Sequence, residues 1–132
     1  MKPVWIVDDD QAIRWVLEKA LQRAHIETVS FANALDVEQA LQTSLPAALV
    51  TDIRMPGKDG LKLLGELKAK HPALPVIVMT AYSDLDSTVS AFQGGAFDFL
   101  AKPFDVNEAV TLITRALEEG DQSVRSGVEE KA

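Results

Sequence analysis

With 132 residues the chain has room for one compact domain with a buried core and is short for two. Its 47% hydrophobic and 25% charged residues are ordinary for a globular protein, no apolar run nears the ~18 residues of a membrane span, and no signal peptide is read at its start. The absence of cysteine excludes disulfides and thiolate metal sites and fits a cytoplasmic setting, while a net charge of −7 argues against gripping a nucleic-acid backbone.

Val4-Trp5-Ile6-Val7 is an apolar run that stops at Asp8-Asp9-Asp10, after which Ile13, Val16, Leu17, Ala20, Leu21 and Ala24 recur at helical spacing. Residues 27–31 alternate polar with apolar and precede a weaker helix carrying Val37, Ala40 and Leu41. Ala47-Ala48-Leu49-Val50 leads to Thr51-Asp52, turn signals Met55-Pro56-Gly57 and Asp59-Gly60 follow, and Leu61, Leu64 and Leu67 mark a third helix. Val76-Ile77-Val78-Met79 ends at Thr80. Ser83-Asp84-Leu85-Asp86 has the spacing of a capping box, opening a helix with Leu85, Val89 and Phe92 that stops near Gly94-Gly95. Phe97-Asp98-Phe99-Leu100 is the last strand, ending at Lys102-Pro103. Asp105 and Glu108 then start a helix with Val106, Ala109, Val110, Ile113 and Leu117, which Gly120 stops. Residues 1–120 are thus expected to form the domain, and 121–132 a flexible linker or tail. Trp5 and Trp15 are expected in the core.

Strand–helix alternation of this length implies an α/β fold with a parallel sheet and helices on both faces. The first, third and fourth strands are apolar on consecutive residues, as strands covered on both sides are; the second and fifth alternate, as edges do. That pattern matches a doubly wound (βα)5, flavodoxin-like sheet of order 2-1-3-4-5 with right-handed crossovers.

Ligands of such sheets bind outside the carboxyl ends of the strands. There the strands deliver Asp8 and Asp9, Asp52, Thr80 and Lys102. Each has a plain alternative. Asp10 is read as a helix cap, a lone Asp after a strand is often a turn former, a lysine often only surface, and a threonine often only a β-branched strand residue. Their convergence is what suggests chemistry. Three carboxylates in one pocket would repel and raise pKa values unless a cation sits among them. Hard oxygen donors, waters and a backbone carbonyl suit Mg2+. A lysine opposite the acids can hold a phosphoryl oxygen, and a hydroxyl can bond another. A carboxylate nucleophile, a cation, a hydroxyl and a lysine together make a phosphoryl-transfer constellation, with Asp52 as the acceptor.

The segments VDDDQAIR, TDIRMPGKDG, VIVMTAYSDLD and FDFLAKPF resemble the signature blocks of two-component response-regulator receiver domains, over residues 3 to about 119. The opening WIVDDDQAIRWVLEKAL and the stretch SDLDSTVSAFQGGAFDFLAKPFD resemble the nitrogen regulatory protein C subfamily of sigma-54-dependent regulators. The resemblance implies the CheY-like receiver fold, and phosphorylation of Asp52 by a sensor histidine kinase. It implies Mg2+ held by Asp8, Asp9, Asp52 and the Arg54 backbone carbonyl, with Thr80 and Lys102 reporting and holding the phosphoryl group. Lys102-Pro103 becomes a candidate cis peptide bond. Phe99 stands at the aromatic switch position, often Tyr in the family, and Ala101 where Pro is frequent. Thr80 and Phe99 would move together, shifting the helix over residues 84–93. The partners implied are the kinase, ATPase and DNA-binding output domains of a longer nitrogen-regulation protein, and a second copy on phosphorylation. Neither nucleic acid nor membrane is expected to touch this chain.

Such a domain is not an enzyme on a separate substrate; it catalyses only its own phosphorylation and dephosphorylation. An aspartyl-nucleophile phosphatase would generally place a second Asp where Arg54 stands, and a flavodoxin-like nucleotide binder would not put three aspartates after the first strand. A free-standing receiver or phosphorelay carrier is the remaining alternative, disfavoured by the linker-like tail.

Overall fold

Runs of apolar residues bounded by helices demand a sheet buried on both sides, and the protein builds one. The computed structural model describes residues 2–53, 60–81, 95–102 and 104–129; for Ala81 and residues 119–129 it describes the backbone only. Strand β1 spans Val4–Val7, β2 Thr28–Phe31, β3 Ala48–Asp52, β4 Val76–Ala81 and β5 Asp98–Lys102. All pair in parallel, in the order β2-β1-β3-β4-β5. The two strands that alternate in sequence are the edges.

The described helices are α1 Gln11–Arg23, α2 Ala34–Leu41, α3 Gly60–Lys70 and α4 Val106–Glu129. Strand residues sort by parity. Trp5, Val7, Leu49, Val76 and Val78 pack with Ala34 and Val37 of α2 and Leu63, Leu64 and Leu67 of α3. Val4, Ile6, Ala48, Val50, Ile77 and Met79 pack with Leu17 and Leu21 of α1 and Ala109, Leu112 and Ile113 of α4. Each buried Leu, Ile or Val contributes roughly 1.5–3 kcal/mol.

Local chemistry sets the helix ends. Asp10 caps α1, its carboxylate accepting from the Ala12 N–H at 2.9 Å, and Asn33 caps α2 through the Asp36 N–H at 2.9 Å. Asp105 starts α4 by accepting from the Asn107 N–H at 2.7 Å. At the end of α1, His25 adopts φ 62°, and the Ile26 N–H returns to the Leu21 carbonyl at 2.9 Å, closing a Schellman-type turn.

Two expectations need correction. Trp15 is 57% exposed, because Leu17, Ala20 and Leu21 set the buried stripe of α1 and position 15 lies on another face; the Lys19 ammonium stands over its ring at 5.8 Å. Trp5 is buried as expected, against Phe31. Nor does α4 stop at Gly120: the helix runs to Glu129. A glycine inside a helix costs about 1 kcal/mol relative to alanine and ends the helix only where the chain turns left-handed. The helix expected over residues 84–93 lies outside the described residues.

Candidate functional site

The register carries the polar residues to one edge. Val7 of β1 is level with Thr51 of β3, so the next residues, Asp8 and Asp52, lie side by side. Asp52 is level with Met79 of β4, which puts Thr80 one step further out, and Thr80 is level with Ala101, next to Lys102. Asp8 is fully buried and its N–H donates to the Phe31 carbonyl at 3.1 Å, so the β1 ladder extends through it.

Lys102 reaches across β4 to the acids. Its ammonium lies 3.0 Å from Asp8 Oδ2 and 3.1 Å from Asp52 Oδ2. The other Asp8 oxygen accepts the Asp10 N–H at 2.9 Å. Burial is the largest influence on Asp8 and raises its pKa; the Asp10 N–H and Lys102 oppose this, the Asp52 charge adds to it, and the net shift is upward. Repulsion among the carboxylates is therefore present but secondary to desolvation. For Lys102, burial alone would lower the pKa, but its bond to Asp8 and the charges of Asp52 and Asp8 outweigh that and raise it. Among the described residues, this lysine is the cation that meets the acid cluster side chain to side chain.

One carboxylate oxygen from each of Asp8, Asp9 and Asp52 lies within 4.8 Å of the other two. Asp9 is exposed and Asp52 partly buried, so the group opens to solvent on one side. An all-oxygen donor set of this charge fits a hard divalent cation such as Mg2+ better than a transition metal.

Thr80 is 3% exposed at the end of β4. Phe99 of β5, level with Val78 of β4, is 37% exposed. Arg54 and Pro103, expected as a carbonyl ligand and in a cis peptide, lie outside the described residues.

Three contributors to the site are not marked as such by the sequence. The Arg14 guanidinium, projecting from α1, donates to the Asp8 carbonyl. The buried Thr51 hydroxyl donates to the Asp52 carbonyl at 3.0 Å, and Gly60 packs against that same carbonyl. Arg14 sits within the quoted VDDDQAIR block, six residues after Asp8, which was the available signal; backbone contacts leave none in the residue types.

A family model described as the response regulator receiver domain matches residues 4–114. The chain belongs to that family. This receiver is 58% identical over 114 residues to the DNA-binding transcriptional regulator NtrC of Escherichia coli K12, a match covering 86% of this chain and 24% of that protein. It is 38% identical over 115 residues to the C4-dicarboxylate transport transcriptional regulatory protein DctD of Rhizobium meliloti, covering 87% of this chain and 25% of that one. Among solved structures, the apo receiver domain of nitrogen regulatory protein C superposes with a TM-score of 0.81 at 56% identity, over 89% of this chain and 94% of that one. The receiver spans about a quarter of the length of the curated relatives it matches. Among the described residues no helix is long and apolar enough to cross a membrane.

Proposed function

We propose that this receiver accepts a phosphoryl group on Asp52 from the phosphohistidine of a sensor kinase and passes the change to an output beyond it. The observation that carries the reading is the Lys102 ammonium, held between Asp8 and Asp52 at 3.0 and 3.1 Å from a strand at the sheet edge. A lysine so placed fixes the acceptor carboxylate and stands where a phosphoryl oxygen on Asp52 would need a cation.

An oxygen of Asp52 attacks phosphorus; the O–P bond forms as the histidine N–P bond breaks, and the electron pair returns to the imidazole. Asp8, Asp9, Asp52 and the Arg54 carbonyl are the residues that would hold Mg2+. When bound, the ion neutralises charge on the phosphoryl oxygens. Lys102 exchanges its bond to Asp52 for one to the phosphoryl group while keeping Asp8, and the Thr80 hydroxyl takes a second oxygen. Phe99 turns in behind Thr80 as the switch. The chain catalyses its own phosphorylation and dephosphorylation and no reaction on a separate substrate.

Similarity to NtrC supports a parent protein with ATPase and DNA-binding output domains, nitrogen regulation as its role, a cytoplasmic location and dimerisation on phosphorylation. The domain occupies residues 1–120 in this reading, with 121–132 leading toward the output. The test is intact-mass analysis after incubation with Mg2+ and acetyl phosphate or carbamoyl phosphate. One acid-labile phosphoryl group is expected, absent in Asp52→Asn. No label on the unaltered chain, or label that survives Asp52→Asn, overturns the assignment.

A further inference from the structure

Helix α3 contains two glycines whose surroundings differ sharply. A Cβ added at Gly65 meets nothing within 4 Å. A Cβ added at Gly60 would lie 2.1 Å from the carbonyl oxygen of Asp52 and 3.0 Å from both the Asp52 carbonyl carbon and Ile53 Cα. These are backbone atoms, and none can rotate aside as a side chain would. Because ordinary contact begins near 3.4 Å, any residue other than glycine must drive helix and strand apart by more than an ångström.

The same peptide is held from other sides. The Thr51 hydroxyl donates to the Asp52 carbonyl at 3.0 Å and the Ile53 N–H donates to the Met79 carbonyl at 3.2 Å, while the Gly60 N–H, closing on Asp52 from α3, ties down the next peptide by donating to the Ile53 carbonyl at 2.8 Å. The Asp52–Ile53 peptide is therefore fixed by β4, by α3 and by a neighbouring hydroxyl. Fixing that plane fixes the direction of the Asp52 side chain, whose Oδ2 sits 3.1 Å from Lys102.

We propose that Gly60 is a positioning residue for the acceptor: its missing side chain lets the start of α3 close on the Asp52 carbonyl and so aims the Asp52 carboxylate. Thr51 serves the same end through its hydroxyl. This inference rests on Asp52 being the phosphoacceptor. Misplacing a reacting group by about 1 Å can slow a reaction roughly 100-fold.

The experiment uses the full chain at saturating Mg2+ with acetyl phosphate as donor. The rate of acid-labile phosphoryl gain is read by intact mass, per folded molecule, with the folded fraction taken from urea denaturation. Gly65→Ala is expected to react within about twofold of the unaltered chain, and Gly60→Ala about 100-fold more slowly. Should Gly60→Ala fail to fold, the Thr51 pair decides. Thr51→Val should slow the reaction about fivefold, the equivalent of one hydrogen bond, and Thr51→Ser should restore it. A folded Gly60→Ala reacting within about threefold of the unaltered chain overturns the inference, as do equal rates for Thr51→Val and Thr51→Ser. An unaltered chain that takes no label, or an Asp52→Asn chain that still does, removes the acceptor assignment instead, and the positioning role falls with it.

Discussion

Replacing Lys102 by methionine keeps most of its stem and removes the cation that two carboxylates share. At an effective dielectric near 20, unit charges 3.0 Å apart attract by about 5 kcal/mol, but desolvating the ions cancels much of this. What the substitution exposes is a carboxylate with no access to water, since the Asp8 side chain is fully buried. Removing one partner of a fully buried pair costs ~3–5 kcal/mol. The Lys102 side chain is 24% exposed and that of Asp52 14%, which places the expected loss at the lower end, about 3 kcal/mol. Urea denaturation in a chelator at pH 7.5, followed through the buried Trp5, measures it. The loss must also depend on pH in a definite direction. The Asp8 pKa is already raised in the folded protein and rises further without Lys102, so the folded variant binds more protons than the unfolded chain above the ordinary carboxylate pKa of 3.8. Stability of the variant therefore falls as pH climbs through the raised pKa and is recovered as pH drops through it. The cost of Lys102→Met should be smaller at pH 5 than at pH 7.5. A loss below about 0.5 kcal/mol at pH 7.5, or one equal at both pH values, would refute the electrostatic account and leave Lys102 a surface residue.

Lys102 itself carries a raised pKa, so in the unaltered protein its contribution is complete below the ordinary lysine value of 10.5. It is lost as pH climbs through the higher folded value, and alkaline denaturation should show that loss and Lys102→Met should lack it. His25→Gly should stabilise the protein by about 1 kcal/mol, because His25 holds φ 62° at the end of α1, where glycine carries no Cβ penalty; a lower thermal midpoint would contradict the turn assignment. Gly95 has φ 99° and a Cβ there would press on Lys68 Cγ at 3.3 Å, so Gly95→Ala should cost roughly 1–3 kcal/mol in urea denaturation, and a neutral result would show that the turn relaxes freely. Mg2+ at a hundredfold excess over its Kd should add about 2.7 kcal/mol of stability, reversed by chelator and much reduced in Asp8→Asn, as read by the urea midpoint.

The sheet order could be read in advance because burial on both faces leaves a mark in residue type. Val4-Trp5-Ile6-Val7 and Val76-Ile77-Val78-Met79 have no polar face to offer, whereas Thr28-Val29-Ser30-Phe31 alternates, and at the sheet edge none of its four residues is fully buried. The convergence of Asp8, Asp52, Thr80 and Lys102 followed from the same topology. Contacts made by the backbone could not be read this way. Gly60 looks like any turn glycine until α3 is laid against Asp52, and Thr51 like any strand threonine until its hydroxyl is seen on a carbonyl. Trp15 misled because a large aromatic suggests burial, while the helical phase of Leu17 and Leu21 decides which face is inside. Gly120 misled because propensity penalises a helix without ending it.

The Asp8–Lys102 pair joins residues 94 positions apart, from the first strand and the last. Closing a flexible loop of that length costs about 4 kcal/mol in chain entropy before any constant is added. The intervening sheet must meet that cost, since two side chains alone could not. A chain emerging from the ribosome thus has Asp52 well before it has the lysine that secures it, and on the proposed function it would gain a complete acceptor site only once β5 has docked.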